Sequence, residues 1–108
     1  MTMQIEAVVV QPTGDFDKVT LDASLEAYQQ IVGGLIEGVF GYDFVMYVNE
    51  EGLIHGLPYN ELASVFASTA LDRTLHLVGP AIILGAGDSE GNDTSVHQSV
   101  LDYYQLEN

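Results

Sequence analysis

Residues 44–60, Phe44-Val-Met-Tyr-Val-Asn-Glu-Glu-Gly-Leu-Ile-His-Gly-Leu-Pro-Tyr-Asn60, decide the fold class. Phe44 to Val48 reads as a strand. Asn49-Glu50-Glu51-Gly52 then makes a tight hairpin turn, with Gly52 free to take a positive φ, and Leu53 to Leu57 returns as a second strand. Pro58-Tyr59 leads into Asn60, a residue suited to capping a helix, with Glu61 in the first turn beyond it. Leu62, Val65 and Phe66 supply the apolar stripe of that helix. Strand, turn, strand and helix cap in direct succession point to an α+β domain.

Upstream, Gln4 to Gln11 is rich in β-branched residues and stops at Pro12, and its three valines predict a central strand. Thr13-Gly14-Asp15 turns the chain, and Asp17 to Leu21 alternates polar and apolar as a short edge strand. Asp22 is placed to cap a helix carrying Glu26 in its first turn. Leu25, Tyr28, Ile31 and Val32 share one face, and Gly33-Gly34 ends the helix. Leu35 to Phe40 is a strand weakened by Gly38, and Gly41-Tyr42-Asp43 turns into the stretch quoted above.

Downstream, the helix after Asn60 frays near Ser68-Thr69, and Leu71-Asp72-Arg73 leads on. Thr74 to Leu84 reads as a long apolar strand, interrupted by a bulge or kink at Gly79-Pro80. Gly85 to Asp93 is polar and glycine-rich, with residues 88–94 a flexible acidic loop. Asp93 or Thr94 then caps a last helix bearing Val96, Val100, Tyr103 and Tyr104. The expectation is a single α+β domain over residues 1–108: one mixed, mainly antiparallel sheet with about three short helices packed on it.

Composition narrows the chemistry. Hydrophobic residues make up 47% of the 108, enough for a modest core. The chain has no cysteine, which removes disulfides and thiolate-bound metals. The N-terminus lacks the basic region of a signal peptide, and no apolar run approaches the roughly 20 residues that span a bilayer. A soluble protein of the cytoplasm is expected. Sixteen acidic residues stand against two basic ones, Lys18 and Arg73, for a formal charge of -14. Binding a phosphate backbone requires cations that displace condensed counterions, so direct contact with nucleic acid or an anionic membrane is not expected. The acidity fits solubility, adaptation to salt, or mimicry of a nucleic-acid backbone. The carboxylates are spread along the chain instead of forming runs, which weighs against mimicry.

The motifs with chemical potential mostly fail on detail. Gly85-Ala-Gly-Asp-Ser-Glu-Gly91 has glycine spacing one residue too long for a dinucleotide fingerprint, and no lysine stands where a phosphate loop needs one. Asp88, Glu90 and Asn92 begin a calcium-loop spacing, but Asp93 and Ser99 occupy the positions of its glycine and closing glutamate. His55, His76 and His97 lie on three different elements without an i+3 or i+4 ligand partner. Glu50-Glu51 are adjacent on a turn, where carboxylates point apart into water. Serine, histidine and aspartate are all present, without a nucleophile elbow. No catalytic residue, cofactor or metal is expected.

Five segments in this order resemble the domain-of-unknown-function family 3846, found mainly in actinobacterial phages, plasmids and some bacterial genomes. They are the N-terminal strand ending near Pro12, Val32-Gly33-Gly34 with Ile36-Glu37, Tyr47 to Gly52, Leu57-Pro58-Tyr59-Asn60, and Val78 to Gly85. The resemblance spans roughly residues 4 to 87 and implies an accessory protein of a phage or mobile element, acting in the host cytoplasm. It brings no activity with it.

The expected function is therefore that of a small acidic non-enzymatic protein binding a host protein or a small ligand. Its candidate contact residues are Asn49, Glu50 and Glu51 at the hairpin tip and Asp88, Glu90 and Asp93 in the loop. The alternative is a nucleic-acid mimic that inhibits a host DNA-binding or defence enzyme, which requires carboxylates on one continuous face. A homodimer is expected through an edge strand, Asp17 to Leu21 or Thr74 to Leu84, or through Tyr103-Tyr104.

Overall fold

Burial of the central strands on both faces places the sheet between two helical layers. A computed structural model describes residues 3–107. Its strands are β1 (Gln4–Val10), β2 (Phe16–Asp22), β3 (Ile36–Phe40), β4 (Val45–Asn49) and β5 (Ala81–Leu84), and its helices α1 (Leu25–Val32), α2 (Glu61–Leu71) and α3 (Gln98–Tyr103). The sheet runs β2-β1-β5-β4-β3. Each neighbouring pair is antiparallel, so the α+β expectation holds and the sheet is not mixed. Val8, Val10, Met46, Val48, Ala81 and Ile83 face α2 and α3, meeting Ala63, Phe66, Val100, Leu101 and Tyr104. Ile5, Ala7, Val45, Ile82 and Leu84 face the other way, onto Tyr28 and Val32 of α1. All four residues of β5 are buried, as befits the central strand of a sheet covered on both sides.

The stretch at 44–60 is not a hairpin. β4 forms, but Leu53 to Leu57 does not return alongside it, because residues 51–56 coil into successive turns. His55 N–H donates to the Glu51 carbonyl, Gly56 to Leu53 and Leu57 to Gly52, which satisfies the backbone locally. The hairpin is instead β3–β4, closed through Gly41. Gly52 is needed for room rather than for a positive φ: a Cβ there would lie 2.8 Å from Cγ2 of Val78. The left-handed residue is Gly56, at φ 67.

The long strand at 74–84 also shortens, to β5. Residues 75–77 remain extended, but their hydrogen bonds go to a helix. Leu75 N–H donates to Ser68 Oγ at 2.9 Å and Leu77 N–H to Ser64 Oγ at 2.8 Å. Each hydroxyl donates back to the same residue's carbonyl, at 3.3 Å in both cases. Serines at i and i+4 on α2 thus stand in for a neighbouring strand. Thr74 to Leu84 is consequently no edge: β5 is central, and the free edges belong to β2, as expected, and β3.

The caps shift as well. Ser24, not Asp22, caps α1 by accepting Ala27 N–H, and Gly33 ends it at φ 83. His97, not Asp93 or Thr94, caps α3. Asn60 caps α2 as expected, but the stripe of α2 is Ala63, Phe66 and Ala67, with Val65 48% exposed. No helix among the described residues is long and apolar enough to cross a membrane.

Ser64→Ala deletes the acceptor for a part-buried N–H, and losing it costs about 1–2 kcal/mol. Urea unfolding should show that loss; a midpoint within error of wild type would contradict the serine pairing of residues 75–77.

Candidate functional site

Two of the six candidate contact residues are internal anchors. Asn49 is only 7% exposed. Its Nδ2 donates to the Val32 carbonyl at 3.1 Å, closing the last turn of α1, and its Oδ1 accepts Glu51 N–H at 2.8 Å. A Cβ at Gly34 would sit 3.0 Å from that Nδ2, so the second glycine of Gly33-Gly34 makes room for the amide. Asp93 accepts the Tyr28 hydroxyl at 2.6 Å, pinning the acidic loop to α1. Burial, then the bond to Asp93, pushes the Tyr28 phenol well above its usual range. Tyr47 stacks on Tyr28 with ring centroids 5.3 Å apart, and its phenol is raised by burial and by the Asp93 charge.

The other four face solvent. Glu50 and Glu51 are exposed, with Glu51 Oε1 3.8 Å from Nε2 of the equally exposed His55. Asp88 organises its own loop, accepting the N–H groups of Glu90 and Asn92 at 2.9 Å each and the Asn92 amide at 3.2 Å. Those bonds, from Asn92 first, hold its carboxyl below the usual carboxylate range. Glu90 is exposed. Among the described residues, no cluster of three His, Cys, Asp or Glu is placed to hold a metal ion.

The fold does bring a serine, a histidine and an aspartate together. Ser99 Oγ lies 2.5 Å from Asp43 Oδ2 and 2.9 Å from His97 Nδ1, and the Nδ1–Asp43 distance is 3.5 Å. The connectivity is wrong for nucleophilic catalysis. A base must take the serine proton through one ring nitrogen while the acid holds the other. Here a single nitrogen faces both partners, and it also accepts Ser99 N–H at 3.0 Å as the cap of α3. The serine hydroxyl donates to the carboxylate, so Asp43 tethers the start of α3 to the β3–β4 turn.

What the sequence reading misses is a groove beside β3. α2 and α3 do not cover this end of the sheet, leaving a cavity of about 530 Å³. Glu37, Val39 and Val48 line it from the sheet, Leu53 from the turns, and Arg73, Leu75, His76 and Leu77 from the extended segment. A recess of about 80 Å³ shares several of these residues and adds Asn49, Glu50 and Val78. His76 is held by stacking on Tyr59, centroids 4.5 Å apart at 17°. Lys18 is engaged by Glu6 at 3.3 Å, whereas no ion pair reaches Arg73 among the described residues. Another hollow, by the β2 edge and of about 360 Å³, is lined by Asp15 and Asp17 with no Lys or Arg in its wall. Arg73 carried a signal in its rarity; the cavity had none, since it depends on where α2 stops.

A five-stranded antiparallel sheet with one helix on one face and two on the other, and a mixed-charge groove at its end, defines the class as a small α+β domain. The chain belongs to the family described as domain of unknown function DUF3846, matching it over residues 3–107. No curated protein and no solved structure gives a significant match. The family match extends past the five resembling segments to include the acidic loop and α3.

Ser99 should stay unlabelled by a fluorophosphonate, read by intact mass, while Ser99→Ala lowers stability by about 0.5–1.5 kcal/mol through the lost tether. Stoichiometric labelling of Ser99 would contradict the structural role given to it.

Proposed function

We propose that this is a non-enzymatic accessory protein that holds a small amphipathic ligand in the groove beside β3. The observation that carries this reading is the pairing of an apolar lining (Val39, Val48, Leu53, Leu75, Leu77) with Arg73 and His76 in one concavity. Binding sites are typically concave and mostly apolar, with a few polar groups that fix orientation. Arg73 has no competing ion pair among the described residues, so it is available to an anionic head group, and Glu37 opposes a second negative charge nearby. The ligand class is therefore an apolar body with a single acidic head. The mobile-element setting and host cytoplasm implied by the family resemblance belong to this proposal.

Mimicry of nucleic acid draws less support. Carboxylates occupy both outer strands (Asp17, Asp22, Glu37) and all three helices (Glu26, Glu61, Asp102), which lie on opposite faces of the sheet. A phosphate-like array needs one face.

The test uses 8-anilinonaphthalene-1-sulfonate, an apolar fluorophore with one anionic group, titrated onto the full chain. Saturable binding is expected, weakened about tenfold by Arg73→Glu and by Leu53→Asp, both exposed positions. No saturable binding, or binding untouched by both variants, would refute the groove as the site.

A further inference from the structure

The two free edges of the sheet are built differently. β2 carries Asp17, Lys18, Thr20 and Asp22 along a strand of seven, the usual protection against strand addition. β3 carries one charge, Glu37, and is flanked by exposed apolar side chains: Leu35 at 53%, Phe40 at 71% and Tyr42 at 100% exposure. Its backbone is also poised to pair. Leu35 accepts Glu50 N–H and Gly41 N–H donates to Phe44, so the hydrogen-bonded positions of the β3–β4 ladder are the odd-numbered residues of β3. Ile36, Gly38 and Phe40 therefore direct their N–H and C=O groups outward, away from β4.

We infer that β3 is a self-pairing edge, joining two copies of this chain antiparallel about Gly38 into one continuous sheet. In that register Gly38 meets Gly38 of the second copy, and Ile36 meets Phe40. All of these are outward-facing positions, so each matched pair exchanges both hydrogen bonds. A two-fold contact must be complementary to itself, and this edge is. Glu37 falls opposite Val39 of the second copy on the groove side. Val39 shares its cavity with Arg73, so the operation carries each Glu37 toward the other copy's Arg73. At Gly38 a side chain would crowd Phe40, whose ring comes within 2.7 Å of the position a Cβ would take. The glycine keeps the strand low where the second copy approaches.

Two chains of charge -14 repel, so the contact forms at the edge where the local charges cancel, and salt strengthens it by screening the rest. The pairing also walls the open side of the groove with the second copy's β3. The inference stands on the edge itself and rests on the ligand reading only for that enclosure.

Sedimentation equilibrium of the full chain at about 100 µM and ~0.5 M NaCl tests it, a concentration suited to a contact of modest area. The wild type should show twice the 11.7 kDa chain mass, with less dimer at ~0.02 M NaCl, where charges are poorly screened. Gly38→Pro removes an outward N–H without breaking the β3–β4 ladder, and Phe40→Lys places a charge on an exposed position. Both should sediment as single chains with circular dichroism unchanged. A wild type of single-chain mass at high salt, or a dimer that survives both variants, would overturn the edge assignment. The fluorophore titration is read separately on the wild-type chain at about 1 µM and ~0.02 M NaCl, where it is expected as single chains, so loss of pairing and loss of the ligand site are told apart.

Discussion

The side chain of Asn60 holds three parts of the molecule at one point. It is fully buried, its Nδ2 donating to the Val10 carbonyl at 3.0 Å and to the Gly79 carbonyl at 2.9 Å. Its Oδ1 accepts Ala63 N–H at 3.0 Å and so starts α2. One amide thereby joins the end of β1, the approach to β5 and the helix that covers them. The backbone around it follows suit: Asn60 N–H donates to Leu77, Gly79 N–H donates to Pro58, and Tyr59 bridges Val78. Gly79 sits at φ 77 with Leu57 packed against it, 2.7 Å from where a Cβ would be. A buried polar group with all its bonds made rigidifies a core, and the same group half-satisfied destabilises it.

The groove follows from this junction. Because Asn60 fixes α2 above β1 and β5, and its serines hold residues 75–77 alongside, the helix leaves the β3 end of the sheet uncovered. Leu53, Arg73 and His76 then border a concavity floored by β3 and β4. The carboxylates of the rest of the surface are distributed over both faces, leaving the β3 edge with a single charge, Glu37.

Much of the fold was legible in the sequence. Asn60 as a cap, Gly33 as a helix end, the β2 edge and the α+β class all rest on local chemistry that the structure keeps. The errors came where local signals had two outlets. Thr74 to Leu84 looked like one strand because extended, apolar sequence does not say whether its partners are strands or the hydroxyls of Ser64 and Ser68. Leu53 to Leu57 looked like a return strand because nothing local reveals that Asn49 spends its amide on Val32 and its carbonyl oxygen on Glu51. Among the candidate site residues, Asn49 and Glu50 reach the groove system, at the small recess, and Asn49 and Asp93 are anchors whose partners lie 17 and 65 residues away. Such pairings are invisible to periodicity. The interplay of Asn60, Ser64 and Ser68, spaced by four along one helix, was the one readable clue left unused.

Asn60→Asp tests the junction most directly. Aspartate caps a helix as well as asparagine does, so capping alone predicts little change. It cannot donate when ionised, and it would set a buried charge against the Val10 and Gly79 carbonyls. Equilibrium urea unfolding at pH 7 should show a loss of at least about 3 kcal/mol, from two unsatisfied carbonyls and a desolvated charge. The loss should ease as pH falls, because burial raises the folded-state pKa of the new carboxyl and the protonated form regains a donor. An Asn60→Asp chain as stable as wild type at pH 7 would contradict the account.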